Sequence, residues 1–175
     1  KTVVAVRNRE KTSMVIPEDA PEKILYGKGY IIDEICGLRF RISAKSFYQV
    51  NPYQAELLYQ IAMNMAELRE DDVVIDAYSG TGTISLIAAS MNVAKVIGIE
   101  SNHQAVLDAR ENARLNGISN AEFIEADASK KLKELAAASA RCDVLFLDPP
   151  RSGATEEFLA SASRLGPSVI VYVSC

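Results

Sequence analysis

Val73-Val-Ile-Asp-Ala-Tyr-Ser-Gly-Thr-Gly-Thr-Ile-Ser-Leu-Ile-Ala-Ala-Ser90 decides the fold. The run of Val73, Val74 and Ile75 is the short apolar segment that a strand buried on both faces needs, and Asp76 ends it. Gly80 and Gly82 allow a sharp turn and a close approach of backbone to a bound group. From Thr83 to Ser90 the residues are small or apolar, as in a helix packed tightly on a sheet. The N–H groups at the start of that helix point back at the turn, which suits a polar or anionic ligand group.

Downstream, strands and helices alternate. Residues 95–99 read as a strand ending in Glu100. Residues 102–116 read as a helix with Ala105, Val106, Ala109, Ala113 and Leu115 inward, stopped by Gly117. A third strand, 121–125, is followed by Asp127, then a helix over 129–138. A fourth, 143–147, runs into Asp148-Pro149-Pro150-Arg151, then a helix over 155–165. A fifth, 168–173, ends in Ser174-Cys175. This alternation predicts an α/β domain with a parallel sheet and helices on both faces. Upstream, residues 2–6, 14–16, 30–35 and 38–42 look like strands. Cys36-Gly37 is a hairpin turn, and Pro17 and Pro21 punctuate a loop. Residues 53–68 carry Ala55, Leu57, Leu58, Ile61, Ala62, Met65 and Leu68 at helical spacing. The predicted division is a small β-rich region over 1–46 and an α/β domain over 47–175.

The chain has 175 residues, 49% hydrophobic and 24% charged, the size of one domain with an appendage. A net charge of −4 argues against nucleic-acid binding by bulk charge, though not against a local basic face. Lys23, Lys28, Arg39, Arg41 and Lys45 read equally as a solvated face or as such a patch. No apolar run approaches the ~20 residues that cross a bilayer, and residues 1–10 lack a signal-peptide core. Cys36, Cys142 and Cys175 show no CxxC spacing, so neither a disulfide framework nor a metal site is expected. These features point to the cytoplasm and to no obligate protein partner.

In such sheets ligands bind outside the carboxyl ends of the strands, where Asp76, Glu100, Asp127, Asp148 and Cys175 all fall. Glu100 lies 100 − 80 = 20 residues beyond Gly80, the spacing of a carboxylate that accepts both ribose hydroxyls. That fits either a nicotinamide dinucleotide or S-adenosylmethionine (SAM). Asp127 would lie near an adenine edge, and Tyr78 reads as a cofactor contact or as a core aromatic. Asp148-Pro-Pro-Arg151 favours SAM, because a rigid acidic turn suits a methyltransferase gripping a planar base. Arg151 stands where amino-group methyltransferases usually have a stacking aromatic, which argues against attack by an exocyclic amine. Cys175, beside the acid of strand four, reads as a buried small hydrophobe or as a thiolate that attacks an electron-poor pyrimidine carbon. Cys36, Cys142 and His103 are read as structural.

With these residues in hand, the chain resembles the RNA uracil-5 methyltransferases that use SAM. The likeness rests on Ile42-Ser-Ala-Lys-Ser-Phe-Tyr-Gln-Val-Asn51, Asp76-Ala-Tyr-Ser-Gly-Thr-Gly82, Asp148-Pro-Pro-Arg151 and Val173-Ser-Cys175. Thr81 and Thr83, where the tRNA branch usually carries Asn, make the chain look most like the bacterial enzymes acting on 23S rRNA. The resemblance implies a Rossmann-like class I SAM methyltransferase sheet, here cut after strand five. It implies cofactor contacts at Gln49, Tyr78, Gly80, Gly82, Glu100 and Asp148, with Asp127 a further candidate. Cys175 is the implied nucleophile and Asp148 a second catalytic group, with RNA as partner. Cysteine adds to carbon 6 of uracil, carbon 5 takes the methyl group, and a base removes the carbon-5 proton. The target base must leave its stack to reach the pocket. The family's glutamate base, RNA-binding barrel and iron–sulfur cysteines are not visible in these residues. The chain is therefore expected to bind SAM without turning over. Rival readings are tRNA uracil-5 methylation, cytosine-5 methylation, a nicotinamide oxidoreductase and a non-catalytic SAM- or RNA-binding module.

Overall fold

A computed structural model describes residues 1–7, 20–49, 51–150 and 153–174. The N-terminal residues build two separate antiparallel pairs: β1 (Val3–Val6) with β2 (Glu22–Tyr26), and β3 (Tyr30–Ile35) with β4 (Leu38–Ser43). Cys36 and Gly37 join the second pair with φ of 52° and 74°, the left-handed geometry a two-residue hairpin needs to match strand twist. The expected strand at 14–16 and Pro17 lie outside the described residues. Strand β2 was not anticipated: every one of its residues is exposed, so no inside–outside alternation marked it.

From residue 51 the chain alternates as expected: α1 (Pro52–Ala66), β5 (Val73–Ala77), α2 (Thr83–Ser90), β6 (Lys95–Glu100), α3 (His103–Leu115), β7 (Ala121–Glu125), α4 (Ala128–Ala137), β8 (Val144–Leu147), α5 (Glu156–Leu165) and β9 (Val169–Tyr172). The five strands are parallel, in the order β7-β6-β5-β8-β9. The chain winds outward through β6 and β7, then crosses back to β8. The switch point between β5 and β8 is where such sheets open a ligand crevice. Side chains of β5 alternate between two cores. Val74 joins α1, α2, α3 and the β3–β4 hairpin on one face; Ile75 and Ala77 join α4 and α5 on the other. Asn102, Asp127 and Thr155 each cap the helix that follows, accepting a backbone N–H. No helix among the described residues is long and apolar enough to cross a membrane.

Helix α1 buries only some of the apolar residues found at helical spacing. Leu57, Ile61 and Met65 are 51%, 48% and 66% exposed, whereas Tyr59, Met63 and Ala66 are buried with Ala55 and Ala62. Apolar residues run almost all round this helix, so spacing alone defined no unique face. Elsewhere packing is tight. Gly82 and Gly98 both face the ring of Phe123, and a Cβ on Gly98 would lie 2.6 Å from its Cδ1 and 3.0 Å from Ser79 Oγ. Gly98→Ala is therefore expected to cost about 2 kcal/mol by overpacking. For a domain of this size the melting temperature should fall by roughly 6 °C, read by circular dichroism.

Candidate active site at the switch point

Strands β5 and β8 end side by side, Ala77 paired with Leu147, and deliver Tyr78 and Asp148 to the same crevice. A cleft there is lined by Gln49, Tyr78, Gly80 and Asp148, four of the residues singled out in the sequence. Tyr48, Tyr59, Asp76, Ser79, Thr81 and Thr83 complete its polar wall. A larger cavity, about 510 Å³, lies between the C-termini of α4 and α5, but alanines, Ser139, Arg164 and Leu165 line it. Its lining holds no carboxylate or cysteine, and it sits at the opposite end of the sheet.

Backbone strain marks the turn after β5. Tyr78 has φ 68° and Gly80 φ 54°, the first a conformation rare for a residue with a side chain. The Tyr78 ring packs 5.5 Å from that of Phe158, so it serves the core and the cleft together. A Cβ on Gly80 would meet nothing within 4 Å, so this glycine is required by its φ and by the open space in front of it. Gly82 is different: it caps α2 with φ 83° and packs on Phe123, outside the cleft wall.

Glu100 also lies outside the cleft lining, yet it shapes the cleft. One of its oxygens accepts the Gly80 N–H at 2.9 Å and the other the Asn102 N–H at 2.7 Å. The oxygen that holds Asn102 also accepts the Ser101 hydroxyl at 3.3 Å, so the one that holds Gly80 keeps a lone pair for a ribose hydroxyl. Asp127 stands two residues past β7 and accepts the Lys130 N–H at 2.9 Å as the cap of α4. Cys175 and Arg151 lie outside the described residues.

Asp76 is fully buried, with Oδ2 accepting the Ser85 hydroxyl at 2.6 Å and Oδ1 unpartnered; Ser79 Oγ and Tyr48 OH are likewise buried without a partner. Burial pushes the Asp76 carboxyl up to about 7, against the Ser85 hydrogen bond and with help from Asp148 and Glu100. Burial also raises Asp148. Because Asp76 binds its proton more tightly folded than unfolded, it favours the fold below pH about 4. That contribution is lost as pH rises to about 7. Asp76→Asn should therefore raise the melting temperature of the ligand-free protein at pH 8, with the gain shrinking towards pH 4. A gain independent of pH would show that Asp76 is not held protonated.

One expectation changes. Arg41 is not part of a free basic patch: its guanidinium lies 4.3 Å over the Tyr30 ring and 3.4 Å from Asp108. His103 is exposed as expected and pairs with Glu125 at 2.7 Å. Tyr48, Tyr59 and Ser79 were missed as site residues. The first and last adjoin motif residues, and only the packing of α1 brings Tyr59 to them.

The sequence profile of a family described as conserved hypothetical protein 95 matches residues 52–175. An uncharacterized RNA methyltransferase of Lactobacillus johnsonii is 43% identical over 174 residues, covering 99% of this chain and 38% of the relative. Another from Streptococcus pyogenes is 46% identical over 168 residues, covering 96% and 36%. The chain thus spans well under half the length of these relatives. Among solved structures, a Pyrococcus abyssi tRNA (uracil-54, C5)-methyltransferase in complex with S-adenosyl-L-homocysteine superposes with a TM-score of 0.75 at 32% identity, covering 96% of this chain and 39% of that one. A SAM-dependent methyltransferase from Agrobacterium tumefaciens gives 0.67 at 19% identity, over 89% and 57%. The fold is the Rossmann-like one of SAM methyltransferases.

Proposed function

The chain belongs to the conserved hypothetical protein 95 family, and on that premise we propose that it carries the catalytic domain of a SAM-dependent RNA methyltransferase acting on carbon 5 of uridine. One observation carries this reading. Gln49, Tyr78, Gly80 and Asp148, from three separate stretches, line one cleft at the switch point, beside buried polar atoms of Asp76, Ser79 and Tyr48 that lack partners. Those atoms fit SAM. Asp148 suits a cation, Gly80 leaves open space, and Glu100 keeps a lone pair for a ribose hydroxyl on the oxygen that holds Gly80. When bound, SAM would supply a methyl group activated on a sulfonium. The names of the relatives in Lactobacillus johnsonii and Streptococcus pyogenes support RNA as the substrate.

In the proposed reaction the Cys175 thiolate forms a bond to carbon 6 of uracil, and the electrons of the 5,6 double bond move onto carbon 5 and the carbonyl oxygen. Carbon 5 would take the methyl group as its bond to the sulfonium breaks, the electron pair staying on sulfur. A base removes the carbon-5 proton, the double bond re-forms, and the thiolate leaves. Asp148, beside the reacting end of the cleft, holds base or cofactor. Thr81 and Thr83 favour a 23S rRNA substrate, while the Pyrococcus abyssi neighbour favours a tRNA.

The test uses the intact protein, SAM and RNA carrying 5-fluorouridine. Fluorine cannot leave as a proton does, so the covalent complex should accumulate and run as a retarded band on a denaturing gel. Trapping by 5-fluorocytidine RNA alone would instead establish cytosine-5 chemistry. Mapping the methyl group on 23S rRNA against tRNA decides the substrate.

A further inference from the structure

We propose that Asn112 is a positioning residue of the cofactor cleft, and that one face of α3 sets the spacing of two cleft walls. The proposal rests on the methyltransferase reading above. Asp108 and Asn112 of α3, with Asn116 that caps its C-terminus, stand at i, i+4 and i+8 and pair with the free edge of β4 as a third strand would. The Arg39 N–H donates to Asn116 Oδ1 at 2.9 Å, and Asn116 Nδ2 returns a bond to the Arg39 carbonyl at 2.7 Å. The Arg41 N–H donates to Asn112 Oδ1 at 2.6 Å, and Asn112 Nδ2 donates to the Arg41 carbonyl at 3.2 Å. The Ser43 N–H donates to Asp108 Oδ2 at 3.0 Å. The match is geometric: four helical residues rise about 6 Å, close to the ~6.8 Å of two strand residues.

Asn112 does more than hold the hairpin. It is fully buried, and Nδ2 also donates to the Thr81 carbonyl at 3.0 Å. Thr81 lies between Gly80 and Gly82, so this bond sets the peptide plane of the glycine turn that Glu100 holds at Gly80. Asp108 holds the other wall. It accepts the hydroxyls of Ser43 at 2.8 Å and Ser46 at 3.0 Å, immediately before Tyr48 and Gln49 enter the cleft. The glycine turn and the Gln49 segment are thereby tied to one rigid helix, while Asn116 ties the far end of the hairpin and the Asn112 carbonyl, at 2.8 Å, and has no bond to either cleft wall.

The experiment compares Asn112→Asp with Asn116→Asp in the intact protein. Each keeps an oxygen for the strand N–H and replaces an NH₂ donor by an acceptor. At position 112 that acceptor faces the Thr81 carbonyl. Asn112→Asp should raise KM for SAM about tenfold and leave kcat at saturating SAM within about twofold, as expected for lost binding geometry alone. Asn116→Asp should lower thermal stability with KM for SAM unchanged. An unchanged KM in Asn112→Asp, or an equal rise in both variants, overturns the proposal. Should Asn112→Asp not fold, Ser43→Ala/Ser46→Ala decides: a several-fold higher KM supports the proposal and an unchanged KM overturns it. Absence of SAM binding by the unsubstituted protein, read by calorimetry, overturns the methyltransferase reading instead.

Discussion

In the intact protein, a Cys175→Ala variant is expected to lose methyl transfer by more than about a thousandfold, the scale of removing a covalent nucleophile. SAM affinity should stay within about twofold, because the thiol is assigned to the base and not to the cofactor. Neither Cys36 nor Cys142 is placed to take over. Cys36 sits in the hairpin turn, its N–H bonded to Glu56 of α1, with burial raising its thiol. Cys142 is buried just before β8, at the end of the sheet away from the cleft, and burial pushes its thiol up to about 12. Neither forms the thiolate readily near neutral pH. Transfer from radiolabelled SAM together with calorimetry separates the two effects. Activity surviving in Cys175→Ala would leave the cysteine a packing residue and remove the addition mechanism.

The largest expected effect on binding belongs to Glu100. Its carboxylate holds two backbone N–H groups, of Gly80 in the glycine turn and of Asn102 at the start of α3, and is also the proposed ribose acceptor. Glu100→Ala removes charge-assisted hydrogen bonds worth about 1.5–3 kcal/mol each and frees the turn, so affinity for SAM should fall about a hundredfold. Glu100→Gln keeps the size but puts an NH₂ against one of the two N–H donors. A loss of about tenfold is expected from that single mismatch. S-adenosylhomocysteine should show the same order, since it carries the same ribose. An affinity for SAM within threefold of the unsubstituted protein in Glu100→Ala would show that the ribose is held elsewhere.

Much of the fold was legible because its cues are local. The apolar run into Gly80 and Gly82 marked one strand–turn–helix unit, and Gly117 marked where a helix ends. Alternation of such units leaves few arrangements for the sheet. The Cys36-Gly37 hairpin was legible for the same reason: two-residue turns carry a short sequence signature. The cleft was legible in part. Gln49, Tyr78, Gly80 and Asp148 do meet, whereas Gly82 and Asp127 are engaged in packing and capping, and Glu100 acts from behind the turn.

The sequence by itself determined the parallel α/β architecture and the end of the sheet that carries the acids, because strand and helix periods and turn chemistry are written in neighbouring residues. Only the tertiary structure decided which face of α1 is buried, why Gly98 must lack a side chain opposite Phe123, and that Asp108, Asn112 and Asn116 serve β4 and the glycine turn. Polar residues at helical spacing look like a solvated face. Their partners here lie 31 to 77 residues away, and nothing local distinguishes a carbonyl that water satisfies from one that waits for an asparagine.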